Sequence, residues 1–201
     1  MLAAALIACL VVCAFAAGLV AGRRTRHAPA PVVDPLTGAL TRAALTARLD
    51  ELAVQAAGAS RPLCILVCDL DLFKRVNDAH GHARGDRVLR EAAGTLRSEL
   101  RGFDALYRPG GEEFVVALPG LDADQGALIA ERLRAAVESA RPGGLRVTAS
   151  FGVAAGSDPH ALLEAADGAL YASKRQGRNR VCVLAPGQRE PVSFLRLPSA
   201  V

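Results

Sequence analysis

The stretch from Met1 to Gly22 contains no charged side chain, and Leu2 to Ala21 is almost wholly apolar. That run is about the length a helix needs to cross a bilayer. A cleavable signal peptide is the competing reading, weakened by the lack of basic residues ahead of the apolar core. Arg23, Arg24 and Arg26 follow at once, which places that flank in the cytoplasm and the N-terminus outside. Ala14, Gly18 and Gly22 recur at a four-residue spacing that lets two helices approach closely, although chance in an Ala/Gly-rich segment explains it equally well. Residues 1–22 therefore read as a transmembrane helix. Residues 23–33, basic and then stiffened by Pro29 and Pro31, read as a short linker.

From residue 34 onward, helical and strand periodicities alternate. Thr41 to Ala57 predicts a helix closed near Gly58. The apolar run from Leu63 to Cys68, bounded by Pro62 and Asp69, predicts a buried central strand. A helical stretch over Leu72 to Leu100 is interrupted around Gly81 to Gly85. Ala105 to Tyr107 and Phe114 to Leu118 flank Pro109-Gly110-Gly111 and predict a β-hairpin. Leu121 to Ala140 is an amphipathic helix stopped by Pro142-Gly143-Gly144, and Arg146 to Ala154 alternates as a strand. His160 to Gln176 is a helix ended by Gly177, followed by a strand over Arg180 to Leu184. Residues 185–201 carry no strong pattern and read as a flexible tail. This order predicts an α+β domain over residues 34–184, a sheet with helices on one face.

Composition changes this picture at three points. The formal net charge is +4, too small to argue for nucleic-acid binding. Only two lysines occur, Lys74 and Lys174, in a chain whose other basic residues are arginines. A compact ammonium on a flexible stem does what a guanidinium fork does not, so both positions are candidates for function. The five cysteines, Cys9, Cys13, Cys64, Cys68 and Cys182, lack metal-finger spacing, and Cys64 and Cys68 lie four apart on one strand. They read as small buried hydrophobes in a reducing compartment.

Candidate chemistry gathers at the strand end and the hairpin. Asp69 and Asp71 sit where the apolar strand stops, and a carboxylate there is costly unless a cation meets it. Gly110 and Gly111 permit close backbone approach and leave amides for a phosphate. Glu112 and Glu113 follow, and strand alternation predicts that only one of them shares a site with Asp69. An acid from each of two adjacent strands suits divalent cations bound to a triphosphate.

Gly110-Gly111-Glu112-Glu113-Phe114 resembles the signature of the GGDEF family, the diguanylate cyclases, in its GGEEF form. The resemblance extends over about Asp34 to Val183, in the family's order and spacing. Asp34-Pro-Leu-Thr-Gly38 with Arg42 resembles the opening motif, and Asp69-Leu-Asp-Leu-Phe-Lys74-Arg-Val-Asn77-Asp78 the first strand and following helix. Gly81-His82 and Gly85-Asp86, Val147 to Val153, Ala166-Asp167, Leu170-Tyr171, Lys174 and Gly177-Arg178-Asn179 resemble the later motifs. Departures are modest: Leu72 stands where a polar or aromatic residue is usual, Ala39 and Thr41 replace Leu and Asn, and Ser173 replaces Ala.

The resemblance implies a ferredoxin-like, palm-type nucleotide cyclase fold with a central antiparallel sheet, preceded here by one transmembrane helix. It implies condensation of two GTP molecules into cyclic di-GMP by a homodimer, formed at least transiently, on the cytoplasmic side of a bacterial inner membrane. Asp69, the Leu70 carbonyl and Glu112 would hold two Mg²⁺ or Mn²⁺ ions, and Glu112 would take the ribose 3′-hydroxyl proton. Glu113 belongs to the catalytic set. Asn77 and Asp86 would read the guanine edge with His82 close by, although Asp86 also fits a helix N-cap. Lys74, Lys174 and Arg178 would neutralise phosphates beside Gly110 and Gly111. Arg101 and Asp104, supported by Arg132, stand at the spacing of an inhibitory product site. The alternatives are a module that binds cyclic di-GMP, or pairs with other GGDEF domains, without synthesis.

Overall fold

The computed structural model describes residues 32–56, 62–185, 187–188 and 190–194. The expected transmembrane helix, Cys9 and Cys13, most of the linker and most of the expected tail lie outside the described residues. Among the described residues no helix is long and apolar enough to cross a membrane.

Seven strands form one sheet: β1 (Leu40–Thr41), β2 (Leu63–Leu70), β3 (Ala105–Gly110), β4 (Glu113–Pro119), β5 (Ala149–Gly156), β6 (Val181–Val183) and β7 (Val192–Ser193). Their order is β1-β3-β4-β2-β5-β6-β7. The helices are α1 (Arg42–Ala56), α2 (Phe73–His80), α3 (His82–Ser98), α4 (Ala123–Ala140) and α5 (Pro159–Arg175). The four inner strands β3, β4, β2 and β5 pair antiparallel, as the family resemblance implies. The sheet as a whole is mixed, because β1 joins β3 and β6 joins β5 in parallel. β5 and β6 are joined by α5, a crossover that returns the chain in its original direction, whereas between β1 and β3 the chain runs through α1, β2, α2 and α3.

Helices cover both faces of the sheet, a correction to the one-sided arrangement expected. On one face Cys64, Leu66, Cys68 and Leu70 pack with Val88 and Leu96 of α3 and with Leu133 and Val137 of α4. On the other, Leu63, Ile65 and Val67 pack with Leu45 and Leu49 of α1 and with Leu162 and Leu170 of α5. This explains why β2 is apolar at consecutive rather than alternate positions: both of its faces are buried. Two short edge pieces have no signature in the sequence pattern. β1 has only two residues, and β7 draws part of the expected tail into the sheet through Cys182 and Val183.

Local chemistry sets the element ends. The α4 terminus is a capping box in which Asp122 accepts from the Gln125 amide and the Gln125 side chain accepts from the Asp122 amide. α5 starts on Pro159, with the Asp158 carboxylate accepting from the His160 and Ala161 amides. The break between α2 and α3 is narrower than expected, a single left-handed Gly81 at φ 79°. Asp86 therefore lies inside α3, and its rival role as an N-cap is excluded.

Candidate active site

The register of β2 and β4 sets Asp69 directly opposite Glu113, so both carboxylates rise on the face that also carries α5. Lys174, near the end of α5, places its Nζ 2.8 Å from Asp69 Oδ2. Burial pushes the Asp69 carboxyl above its ordinary value; the Lys174 ammonium opposes that shift, and the charges of Glu112 and Glu113 add to it. Glu113 is the one that faces Asp69 across the register, while the charges of both glutamates reach it. Strand alternation does not govern Glu112, because β4 begins at Glu113 and Glu112 occupies the turn. The Glu112 carbonyl also accepts from the Leu70 amide at 3.3 Å.

The hairpin is braced by residues of the opening motif. Arg108 donates from Nε and Nη2 to the Gly111 carbonyl, at 3.0 and 2.7 Å, and from Nη1 to Asp34 at 2.9 Å. Arg42 donates from Nε to the Pro109 carbonyl at 3.1 Å. Burial tends to raise the Asp34 carboxyl, but hydrogen bonds from Thr37 and Arg108 hold it below its ordinary value. Asp34 and Arg42 therefore aim the turn that carries Glu112. Gly111 has φ 54°, the left-handed region that glycine adopts freely. Beside the hairpin a cavity of about 410 Å³ is floored by Leu45, Leu49, Val67 and Val115 and reaches Glu113.

Asn77 closes against the start of α3 because of a glycine at position 85. A Cβ added at Gly85 would collide with Asn77 Oδ1 and press on Phe73, so the bare backbone of α3 lets α2 close against it. Asp86 and His82 are exposed at the start of α3, and Lys74 is exposed on the first turn of α2. Arg178 is exposed in the turn after α5, with its amide donating to the Ser173 carbonyl. Asp71 has a different role from Asp69. It is buried and accepts from Thr148 Oγ1 at 2.7 Å, Ser150 Oγ at 2.6 Å and the Asn179 amide at 3.0 Å. The sequence gives Asp71 no sign of this role, since its three donors are remote in the chain.

Arg101 and Asp104 pair with each other at the other end of β3. Arg101 grips Asp104 through Nη2 at 2.8 Å and Nε at 3.0 Å, its guanidinium 4.4 Å from the centre of the Phe103 ring. Arg132 reaches from α4 to the Glu99 carboxylate at 3.1 Å, two residues before Arg101.

The fold and this corner define an α+β domain in which acids from two adjacent strands, Asp69 and Glu113, are met by Lys174 of a flanking helix. Residues 31–180 match the family model of the diguanylate cyclase GGDEF domain, and the chain belongs to that family. It is similar to the diguanylate cyclase DgcP of Pseudomonas aeruginosa, 43% identical over 75% of this chain and 23% of that protein. It is also similar to the response regulator PleD of Caulobacter vibrioides, 43% identical over 75% of this chain and 35% of that protein. The chain thus spans about a quarter to a third of these relatives. Among solved structures, the GGDEF domain of DgcB from Caulobacter crescentus, in complex with c-di-GMP, matches with a TM-score of 0.70 and 34% identity. That match covers 82% of this chain and 100% of the DgcB domain.

Proposed function

We propose that the protein is a diguanylate cyclase that condenses two GTP molecules into cyclic di-GMP and two pyrophosphates. The observation that carries this reading is the corner where Asp69 faces Glu113 across two strands, with Glu112 in the adjoining turn and Lys174 against Asp69. Relatives named diguanylate cyclases support it.

Two Mg²⁺ or Mn²⁺ ions are the cofactors of this reading, held by Asp69, the Leu70 carbonyl and Glu112. The donor set is all hard oxygen, which fits Mg²⁺ bound through one or two carboxylates and completed by substrate phosphates. Phosphate oxygens of the bound triphosphate would complete the coordination. When bound, the ions neutralise charge on the reacting phosphate and the leaving pyrophosphate.

The protein's own groups do the rest. Asn77 and Asp86 hold the guanine edge, with His82 near the nucleotide. The Gly110 and Gly111 backbone approaches the phosphates, and Lys74, Lys174 and Arg178 neutralise them. Glu112 takes the 3′-hydroxyl proton while Glu113 keeps the corner anionic. The 3′-oxygen then bonds to the α-phosphorus of the other GTP, and the α–β bridging bond breaks to release pyrophosphate. A second attack closes the ring. Each chain offers one such corner, so two chains face each other at least transiently. Arg101 and Asp104, with Arg132, form an inhibitory site for the product, and residues 1–22 anchor the chain in the inner membrane with the catalytic domain in the cytoplasm.

The test is purified protein incubated with GTP and Mg²⁺. Cyclic di-GMP and pyrophosphate should accumulate in a 1:2 ratio, and Glu112→Gln should lower the rate by at least ~10²-fold with an unchanged circular dichroism spectrum. Binding of cyclic di-GMP without any synthesis would instead establish a receptor module. Recovery of the protein in the soluble rather than the membrane fraction of cells would overturn the anchoring.

A further inference from the structure

The turn that carries Arg178 is left-handed at three consecutive residues: Gly177 at φ 115°, Arg178 at 63° and Asn179 at 48°. Two of these are not glycine, so the turn stays in this shape only where its surroundings over-determine it. The surroundings are specific. Asp71, at the end of β2, accepts from the Asn179 amide at 3.0 Å. Arg134 of α4 donates from Nη1 to Asn179 Oδ1 at 2.6 Å. Arg134 is itself only 4% exposed and is immobilised by Glu131 through Nε at 2.9 Å and Nη2 at 2.8 Å, and by Glu138 through Nη1 at 2.7 Å. Arg180 adds a bond from Nε to the Arg178 carbonyl at 3.1 Å.

This network is costly to build. A buried guanidinium and the carboxylates around it must be desolvated, and replacing such groups by packed apolar side chains is often neutral or stabilising. Its orientation is the informative feature. One branch ends on β2 two residues from Asp69, and the other ends on the side chain that follows Arg178. Between them the Asn179 backbone and side chain are both held, beside the exposed Arg178 side chain. A cation held in place loses less freedom on meeting an anion than one on a loose loop.

We propose that Asn179 and Arg134 are positioning residues for phosphate recognition: by locking the left-handed turn they hold Arg178 at the triphosphate. This rests on the assignment of Arg178 to the phosphates, and the experiment separates the two. Asn179→Gly keeps the left-handed backbone accessible but removes the acceptor for Arg134. Arg178→Ala removes the cation. GTP and guanosine affinities are measured by calorimetry for wild type, both single variants and the double variant, beside KM and kcat for GTP.

Arg178→Ala should weaken GTP about ten-fold or more. Asn179→Gly should weaken it by several-fold, raise KM more than it lowers kcat, and leave guanosine affinity unchanged. In the Arg178→Ala background it should add nothing, because its effect passes through Arg178. Additive losses, or equal losses for guanosine and GTP, would show a general loosening and overturn the proposal, as would an Asn179→Gly protein that binds GTP like wild type. If Arg178→Ala itself leaves GTP binding unchanged, the phosphate assignment fails first. Should Asn179→Gly not fold, Arg134→Lys carries the same test, since an ammonium can serve Glu131 and Glu138 but lacks the fork that also reaches Asn179.

Discussion

At the scale of single residues, two aspartates two positions apart in the chain do opposite things. Asp71 is satisfied by three donors and ties β2 to β5 and to the Asn179 turn. Asp69 is held in a buried, anion-rich corner with one ammonium. Its folded-state pKa lies above the ordinary 3.8, so its contribution to stability is fully present below that value and is lost as pH rises through the folded pKa. Ionised Asp69 therefore works against the ligand-free fold at neutral pH. Asp69→Asn should melt at or above the wild-type temperature near pH 7 and lose this part of the pH dependence. It should also lower cyclase activity by ~10²-fold or more. Thermal melts across pH 3 to 8, beside turnover assays, check both; a variant that melts well below wild type at neutral pH would show that the Lys174 pair outweighs the burial. Leu72 is a third case. It stands in the left-handed region at φ 57° while 48% exposed, an unfavourable choice on both counts. The sequence marks it as a departure from a family pattern in which a polar or aromatic residue is usual, and its left-handed backbone disfavours leucine there.

At the scale of elements, the sheet positions the site because its helices lie very close. α5 crosses β5 at Gly152, where an added Cβ would run into the backbone at Ala166 and Leu170. Lys174 sits one helical turn beyond Leu170, so this contact fixes how far Lys174 reaches toward Asp69. Gly152→Ala should cost ~1–3 kcal/mol through overpacking that backbone cannot relieve. Calorimetric melting should fall by about 2–4 °C for each kcal/mol, and GTP turnover should fall with it as α5 is displaced. An unchanged melting temperature would show that α5 can lift without penalty. The apolar run of β2 announces burial, but only the packing of α1 and α5 on one face and α3 and α4 on the other shows that it is buried twice. The three described cysteines, Cys64, Cys68 and Cys182, follow from the same packing: all are buried, and burial pushes the Cys64 thiol up to about 12, with the Asp122 charge adding to the shift, which leaves a small apolar side chain.

At the scale of the whole molecule, the acidic corner and the Arg101–Asp104 pair occupy opposite ends of β3. Ala105 and Gly110 are five residues apart, about 16 Å along a strand. The Arg101 guanidinium lies over the Phe103 ring and is bound to Asp104, whose side chain is only 1% exposed. If this pair takes the product, the reaction should slow as cyclic di-GMP accumulates, and added GTP should not relieve it. Arg101→Ala should bind the product roughly ten- to hundred-fold more weakly and run a straighter progress curve. Equal product affinity in the two proteins would reduce Arg101 and Asp104 to a surface ion pair.

The sequence by itself determined the family, most of the helices and strands, and the residues of the corner. Those are written locally, in periodicity, in glycine turns and in acids at strand ends. The tertiary structure alone decided the relations between segments far apart in the chain. It showed that Glu113 faces Asp69 across β2 and β4, while Glu112 lies in the turn before β4. It showed that Asp34 braces the hairpin through Arg108, 74 positions away. It also showed that Asp71 and Arg134 share Asn179, with 108 and 45 positions between the partners. Neither periodicity nor motif spacing carries such pairings, because a hydrogen bond between distant segments exists only once packing has brought its donor and acceptor together.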